Sequence, residues 1–108
     1  MLRLFERYDY LVLPTAQVFP FDAQEHWPKE IAGRKMDTYH RWMEVVIYGT
    51  LAGVPVMAVP AGFGPDGLPM GLQIMGRPRA DRDMPELGHA YDLAQDFTAR
   101  RSPLLGQG

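Results

Sequence analysis

The spacing of apolar and polar positions changes repeatedly along the chain, and each change predicts an element. Leu2, Leu4, Phe5 and Tyr8 alternate with charged residues at helical spacing, which predicts the closing turns of an amphipathic helix. No N-cap residue precedes them. Tyr10 to Leu13 is a compact apolar run that enters at Asp9 and stops at Pro14, and it predicts a strand. Its side chains are apolar on both faces, as expected of an interior strand covered on each side. From Thr38 to about Leu51 the period becomes helical again. Tyr39, Trp42, Met43, Val46 and Ile47 share one face, Asp37 is placed to cap the N-terminus, and Gly53 ends the helix. Arg41 and Glu44 stand at i and i+3, a modest pair.

Two short apolar runs follow, Val54 to Ala61 and Leu68 to Met75, each bounded by Gly and Pro. Neither has room for three helical turns, so both predict buried strands. Between them, Pro65 presets φ for a turn and Asp66-Gly67 tolerates positive φ, so the pair predicts a hairpin. After the Arg77-Pro78-Arg79 linker, Leu87, Ala90, Tyr91, Ala94 and Phe97 form the stripe of a last helix. Asp81 and Asp83 compete as its N-cap; Asp83 would place Pro85 and Glu86 in the first turn, and Arg100-Arg101 suit its end.

The least regular stretch is Thr15 to Arg34, broken by Pro20, Pro28 and Gly33 and threaded by Phe19, Phe21 and Trp27. Those aromatic residues favour a packed loop. A short helix is expected to start at Pro28, run through Lys29, Glu30 and Ile31, and stop at Gly33. Together these elements predict an α/β fold. A mixed sheet, with strands near residues 10–14, 55–60 and 69–75, is flanked by helices near 38–51 and 83–99. Residues 1–101 form one structural portion, and residues 102–108, with Pro103 and two glycines, form a flexible tail.

Composition narrows the function. A chain of 108 residues is at most one domain, and 46% hydrophobic residues supply a core. Net charge is −2 and the basic residues are scattered, so no nucleic-acid or anionic-lipid face is expected. The absence of cysteine excludes disulfides, thiolate catalysis and Cys-ligated zinc. No run is long enough to span a membrane and no signal-peptide core is visible, so a cytoplasmic placement is expected.

The chemistry is sparse. Gly62, Gly64 and Gly67 fit a G-x-G-x-x-G spacing, but Leu68-Pro69 and a strand follow where a dinucleotide site needs a helix. Ser102 is the sole serine and lies in the tail; Thr15, Thr38, Thr50 and Thr98 sit in no nucleophile elbow. His26, His40 and His89 lack metal-ligand spacing, so no metal is expected; His40 is the most interesting, between Tyr39 and Trp42. Asp92 and Asp96, at i and i+4, read as a solvated face. Gln73, inside an apolar strand, needs partners for its amide, and a neighbouring loop backbone is the expected source. On these residues no complete active site exists.

Three stretches in order carry a resemblance: Asp9-Tyr-Leu-Val-Leu-Pro-Thr15, Leu51-Ala-Gly-Val-Pro-Val-Met-Ala-Val-Pro-Ala-Gly62 and Gly67-Leu-Pro-Met-Gly-Leu-Gln-Ile-Met-Gly76. They resemble the C-terminal part of the amidase signature family, over nearly the whole chain. Met36-Asp-Thr-Tyr-His-Arg-Trp-Met-Glu44 also resembles GatA-type members. Thr50 stands where the family commonly has Asn, and Ala58 where it often has Ser. The resemblance implies the family's α/β/α sandwich and hydrolysis of carboxamides, or release of ammonia for transfer in GatA-type subunits. It also implies a Ser–cis-Ser–Lys triad and an oxyanion hole N-terminal to this segment. No position here matches that triad, and Lys29 and Lys35 are the only lysines.

The expected object is therefore a catalytically inactive C-terminal fragment, with no cofactor. Its expected partner is the missing N-terminal part of the domain, and self-association through exposed apolar surface is expected without it. The alternative is a free-standing interaction or regulatory domain on the same fold, which needs a sealed surface. The helix face Tyr39, Trp42, Met43 and Val46 is the candidate substrate-binding wall. Aliphatic amides, aryl amides, allophanate and glutamine all stay open as substrates.

Overall fold

The computed structural model describes residues 2–95. The expected tail at 102–108, Ser102, Thr98, Arg100-Arg101, Phe97, Asp96 and the end of the last helix near 99 lie outside the described residues. In order, the elements are α1 (Leu2–Phe5), β1 (Leu11–Pro14), β2 (Glu30–Ile31), β3 (Arg34–Lys35), a 3₁₀ segment (Arg41–Val46), α2 (Tyr48–Ala52), β4 (Val56–Phe63), β5 (Pro69–Met75) and α3 (Asp83–Gln95). The class is α/β, with a three-stranded sheet in the order β1-β5-β4. Its described pairs are antiparallel.

The hairpin forms where the sequence places it. Gly67 N–H bonds Gly64 O at 3.0 Å and Gly64 N–H bonds Leu68 O at 2.8 Å, closing the turn. One residue, Ala61, is extra on β4: Pro60 pairs Gly71 and Gly62 pairs Met70, so the strand bulges. Pro60 is tolerated because β4 is an edge strand of this sheet, where a missing N–H breaks no second ladder.

Register decides which residues share a face. Leu11, Met75 and Val56 are aligned, as are Leu13, Gln73 and Ala58. This face carries a cluster of Phe5, Val54 and Met75, joined by Leu4 and Ala52 from the flanking helical turns. On the other face Val59 and Ile74 pack with Met84, Leu87 and Tyr91 of α3. The Tyr91 hydroxyl donates to Pro60 O, tying α3 to the bulged edge. Helical elements thus cover both faces, and β5 is the buried centre.

Four expectations are corrected. Among the described residues the strand after Asp9 is an edge, not an interior strand: β1 pairs with β5 alone, and Val12 is 48% exposed. No helix begins at Pro28. Ala32 and Gly33 both take positive φ, 50° and 80°, and so turn β2 back onto β3 as a two-residue hairpin. The single helix over 38–51 is two pieces. Met43 (φ −117°, ψ 20°) leaves the helical region inside the 3₁₀ segment, and α2 starts afresh at Tyr48. Asp37 caps nothing there; its carboxylate accepts from Arg41 Nε at 2.7 Å instead. The expected stop does hold: Gly53 is left-handed (φ 68°, ψ 31°), and its N–H returns to Gly49 O and Thr50 O.

Candidate functional site

Two glutamines set the geometry. Gln73 is only 5% exposed, and its Nε2 donates to Pro14 O at 3.0 Å and Val45 O at 2.8 Å. Gln17, in the loop after β1, donates from Nε2 to Arg41 O at 3.2 Å and accepts from Val45 N–H at 2.9 Å. Side-chain amides thus satisfy backbone groups of the 3₁₀ segment. They bind that segment to the ends of β1 and β5. The sequence anticipated the backbone of a neighbouring loop; the partners are backbone groups, but of β1 and the 3₁₀ segment.

Held this way, Trp42 lines an open recess of about 650 Å³. The other walls are Thr15, Ala16 and residues 18–21 of the loop, residues 58–60 of β4 and residues 69–71 of β5. The bulge at Ala61 lies beside it, between Pro60 and Gly62. Gly71 leaves space where a Cβ would stand 3.0 Å from Thr15 Oγ1 and 3.2 Å from Val59 O. The lining is apolar apart from the Thr15 hydroxyl and backbone groups. Trp42 Nε1 is buried and has no hydrogen-bond acceptor among the described residues.

Aromatic edges fix the loop against this wall. Phe21 meets Trp42 edge to face at 5.6 Å and 89°. Trp42 meets Tyr39 at 5.9 Å, and Tyr39 meets Trp27 at 5.8 Å. Lys29 Nζ lies 2.9 Å above the Trp27 ring. Each edge-to-face pair contributes about 0.5–1.5 kcal/mol beyond its burial. The expected packed loop is met only in part: Trp27 and Phe21 anchor the stretch, but residues 19–26 are exposed.

Of the four residues proposed from the sequence, Trp42 lines the cavity. Tyr39 is 46% exposed and packs behind Trp42, against Trp27 and His40. Met43 and Val46 are half-buried on the 3₁₀ segment and do not line this cavity. Tyr39 precedes the 3₁₀ segment and Met43 breaks it, so the four residues do not share one helical face. Sequence reasoning missed Val18, Phe19, Phe21, Pro60 and Met70 as lining. The signal for the first three was a long aromatic loop leaving the end of a strand.

Among the described residues, these walls bring no nucleophile and base together. Among the described residues no cluster of three His, Cys, Asp or Glu side chains could hold a metal ion. Thr15 is the one hydroxyl side chain on the wall, with no His, Lys, Asp or Glu beside it in the lining.

Comparison with known proteins places this arrangement. The family model described as Amidase matches residues 1–84. The A-subunit of glutamyl-tRNA(Gln) amidotransferase from Myxococcus xanthus (strain DK1622) is 36% identical over 102 residues, covering 94% of this chain and 20% of the relative. The protein of the same name from Symbiobacterium thermophilum is 38% identical over 109 residues, covering 98% and 20%. That from Ralstonia nicotianae is 50% identical over 52 residues, covering 48% and 10%. The chain thus spans about a fifth of the length of the curated relatives it matches along most of its own.

Proposed function

The chain belongs to the amidase family, and on that footing we propose that it forms one wall of a carboxamide-binding cavity and supplies none of the attacking groups. It is the C-terminal part of an amidase, and the Ser–cis-Ser–Lys triad and oxyanion donors come from a segment upstream. Alone it hydrolyses nothing. The observation that carries this reading is the cavity itself: a recess of about 650 Å³, apolar and aromatic, without a nucleophile–base pair on its lining.

Supporting observations point the same way. Ser102 is the only serine, and the only lysines, Lys29 and Lys35, are exposed and are not among the lining residues. Within the face Tyr39, Trp42, Met43 and Val46, Trp42 meets the substrate while the other three hold the 3₁₀ segment in place. The partner is the N-terminal part of the amidase domain, packing on apolar surface that this chain leaves exposed. Leu51 is 78% exposed, Phe63 47% and Val56 45%. A free-standing interaction domain would seal such residues, so this surface favours the amidase-wall reading. A cytoplasmic placement belongs to the same proposal. No described helix is long and apolar enough to cross a membrane.

The test is direct. The purified chain is expected to release no ammonia or acid from simple amides or esters above the buffer rate. Turnover that survives Ser102→Ala overturns the proposal.

A further inference from the structure

We infer that Gln17 is a positioning residue for the recess: its side-chain amide is a wedge in the segment that carries Trp42, and its withdrawal lets that segment close into one α-helix and turns Trp42 away from the loop. This rests on the amidase-wall reading above and adds to it a control over one wall.

Three observations carry it. First, the amide sits between two groups that an α-helix would join to each other. In an α-helix Val45 N–H donates to Arg41 O. Here Gln17 Oε1 accepts from Val45 N–H at 2.9 Å, and Gln17 Nε2 donates to Arg41 O at 3.2 Å. A primary amide offers the same kinds of donor and acceptor as a peptide, so both backbone groups stay satisfied while the helix is held open. Second, the break lies inside the bracketed span. Met43 takes φ −117° and ψ 20°, midway between the two residues that Gln17 holds. A side chain inserted into the i→i−4 ladder is a known cause of a kink. The apolar spacing over residues 38–51 suits an unbroken helix, so the closed state is the one that local sequence favours. Third, the wedge is tied to the recess. Trp42 lies between Arg41 and Val45 and lines the recess together with residues 18–21 of the loop that carries Gln17. Further along that loop Phe21 packs on Trp42 at 5.6 Å. Phe19 lies flush on Gly64 of the hairpin turn, where a Cβ would stand 2.9 Å from the ring. The loop is thus pinned at residues 17, 19 and 21, and Gln17 is the polar pin.

The experiment compares the full 108-residue chain with Gln17→Leu by carbon-13 and nitrogen-15 NMR. Leucine is apolar and lacks both the donor and the acceptor. The Trp42 indole signal is assigned by its loss in Trp42→Phe. In Gln17→Leu the Cα shifts of residues 41–46 are expected to move toward helical values and the Trp42 signal to shift. Phe21→Leu, added to Gln17→Leu, is expected to move the Trp42 signal by less than about half of what it does alone, because the two residues act through one loop. Destabilisation by itself lowers helical content, so unchanged or less helical Cα shifts overturn the proposal. Additive shifts overturn it too, as does an equal helical gain in Gly53→Ala, a variant outside the recess. If Gln17→Leu loses spectral dispersion, Gln17→Glu keeps the acceptor for Val45 N–H without the donor for Arg41 O, and a smaller shift of the same sign is expected. Loss of dispersion in both makes Gln17 a residue that holds the fold and overturns the proposal. Turnover by the purified chain removes the amidase-wall reading instead and leaves the wedge in place.

Discussion

Gln73 joins three elements through one amide. Its two N–H bonds hold Pro14 O of β1 and Val45 O of the 3₁₀ segment while its own backbone sits in β5. Gln73→Leu keeps the size and apolar burial but leaves both carbonyls without that donor. These acceptors are part-buried, so losing the donor is expected to cost about 1 kcal/mol, the lower end of the range for a buried group. The expected result is a lower urea midpoint by that amount, with the Trp42 indole signal displaced because its support has moved. An unchanged midpoint would mean that the amide contributes little. The surface pairs at this scale matter less. Arg77–Asp9 at 2.9 Å joins two exposed side chains and is expected to contribute under about 1 kcal/mol.

The segment from Thr38 to Gly53 shows how an element can be legible in kind and wrong in detail. Its apolar spacing is helical, yet Gln17 and Gln73 satisfy backbone groups at Arg41 and Val45, and the helix breaks at Met43. Those partners lie 28 residues or so away along the chain, beyond any local propensity. The stop signal is local and therefore readable. Gly53 holds φ 68°, where a Cβ meets backbone. Gly53→Ala meets no neighbouring side chain there, so its cost is conformational alone. The expected loss is about 1–2 kcal/mol by urea or thermal melting, with the three-stranded sheet intact. The 28–33 stretch failed for a related reason. Pro28 suits a helix start, but the Ala32-Gly33 turn and the bond from Met36 N–H to Lys29 O at 2.7 Å select a hairpin.

At the scale of the molecule, the plate-like outline is the governing fact. The radius of gyration is 16.1 Å and the extents are 43 × 41 × 18 Å. A compact chain of this length has a radius near about 13 Å. Few side chains are fully enclosed, and β1 and β4 each present an open edge among the described residues. Such edges and apolar faces recruit a partner or a second copy. Light scattering of the isolated chain is therefore expected to show association that rises with concentration. A monomer that persists at high concentration would count against the wall proposal and for a free-standing domain.

From its residue order alone, this chain specified its α/β class, the β4–β5 hairpin, the Gly53 stop, the need of Gln73 for backbone partners and the family. All of these rest on local spacing, turn chemistry or motifs read in sequence. The edge position of β1, the 3₁₀ break at Met43 and the cavity between loop, hairpin and Trp42 were settled by tertiary contacts. They depend on which strand lies beside which and on side-chain amides reaching distant backbone. No periodicity encodes those relations, because they exist only once residues far apart along the chain are brought within a hydrogen bond of one another.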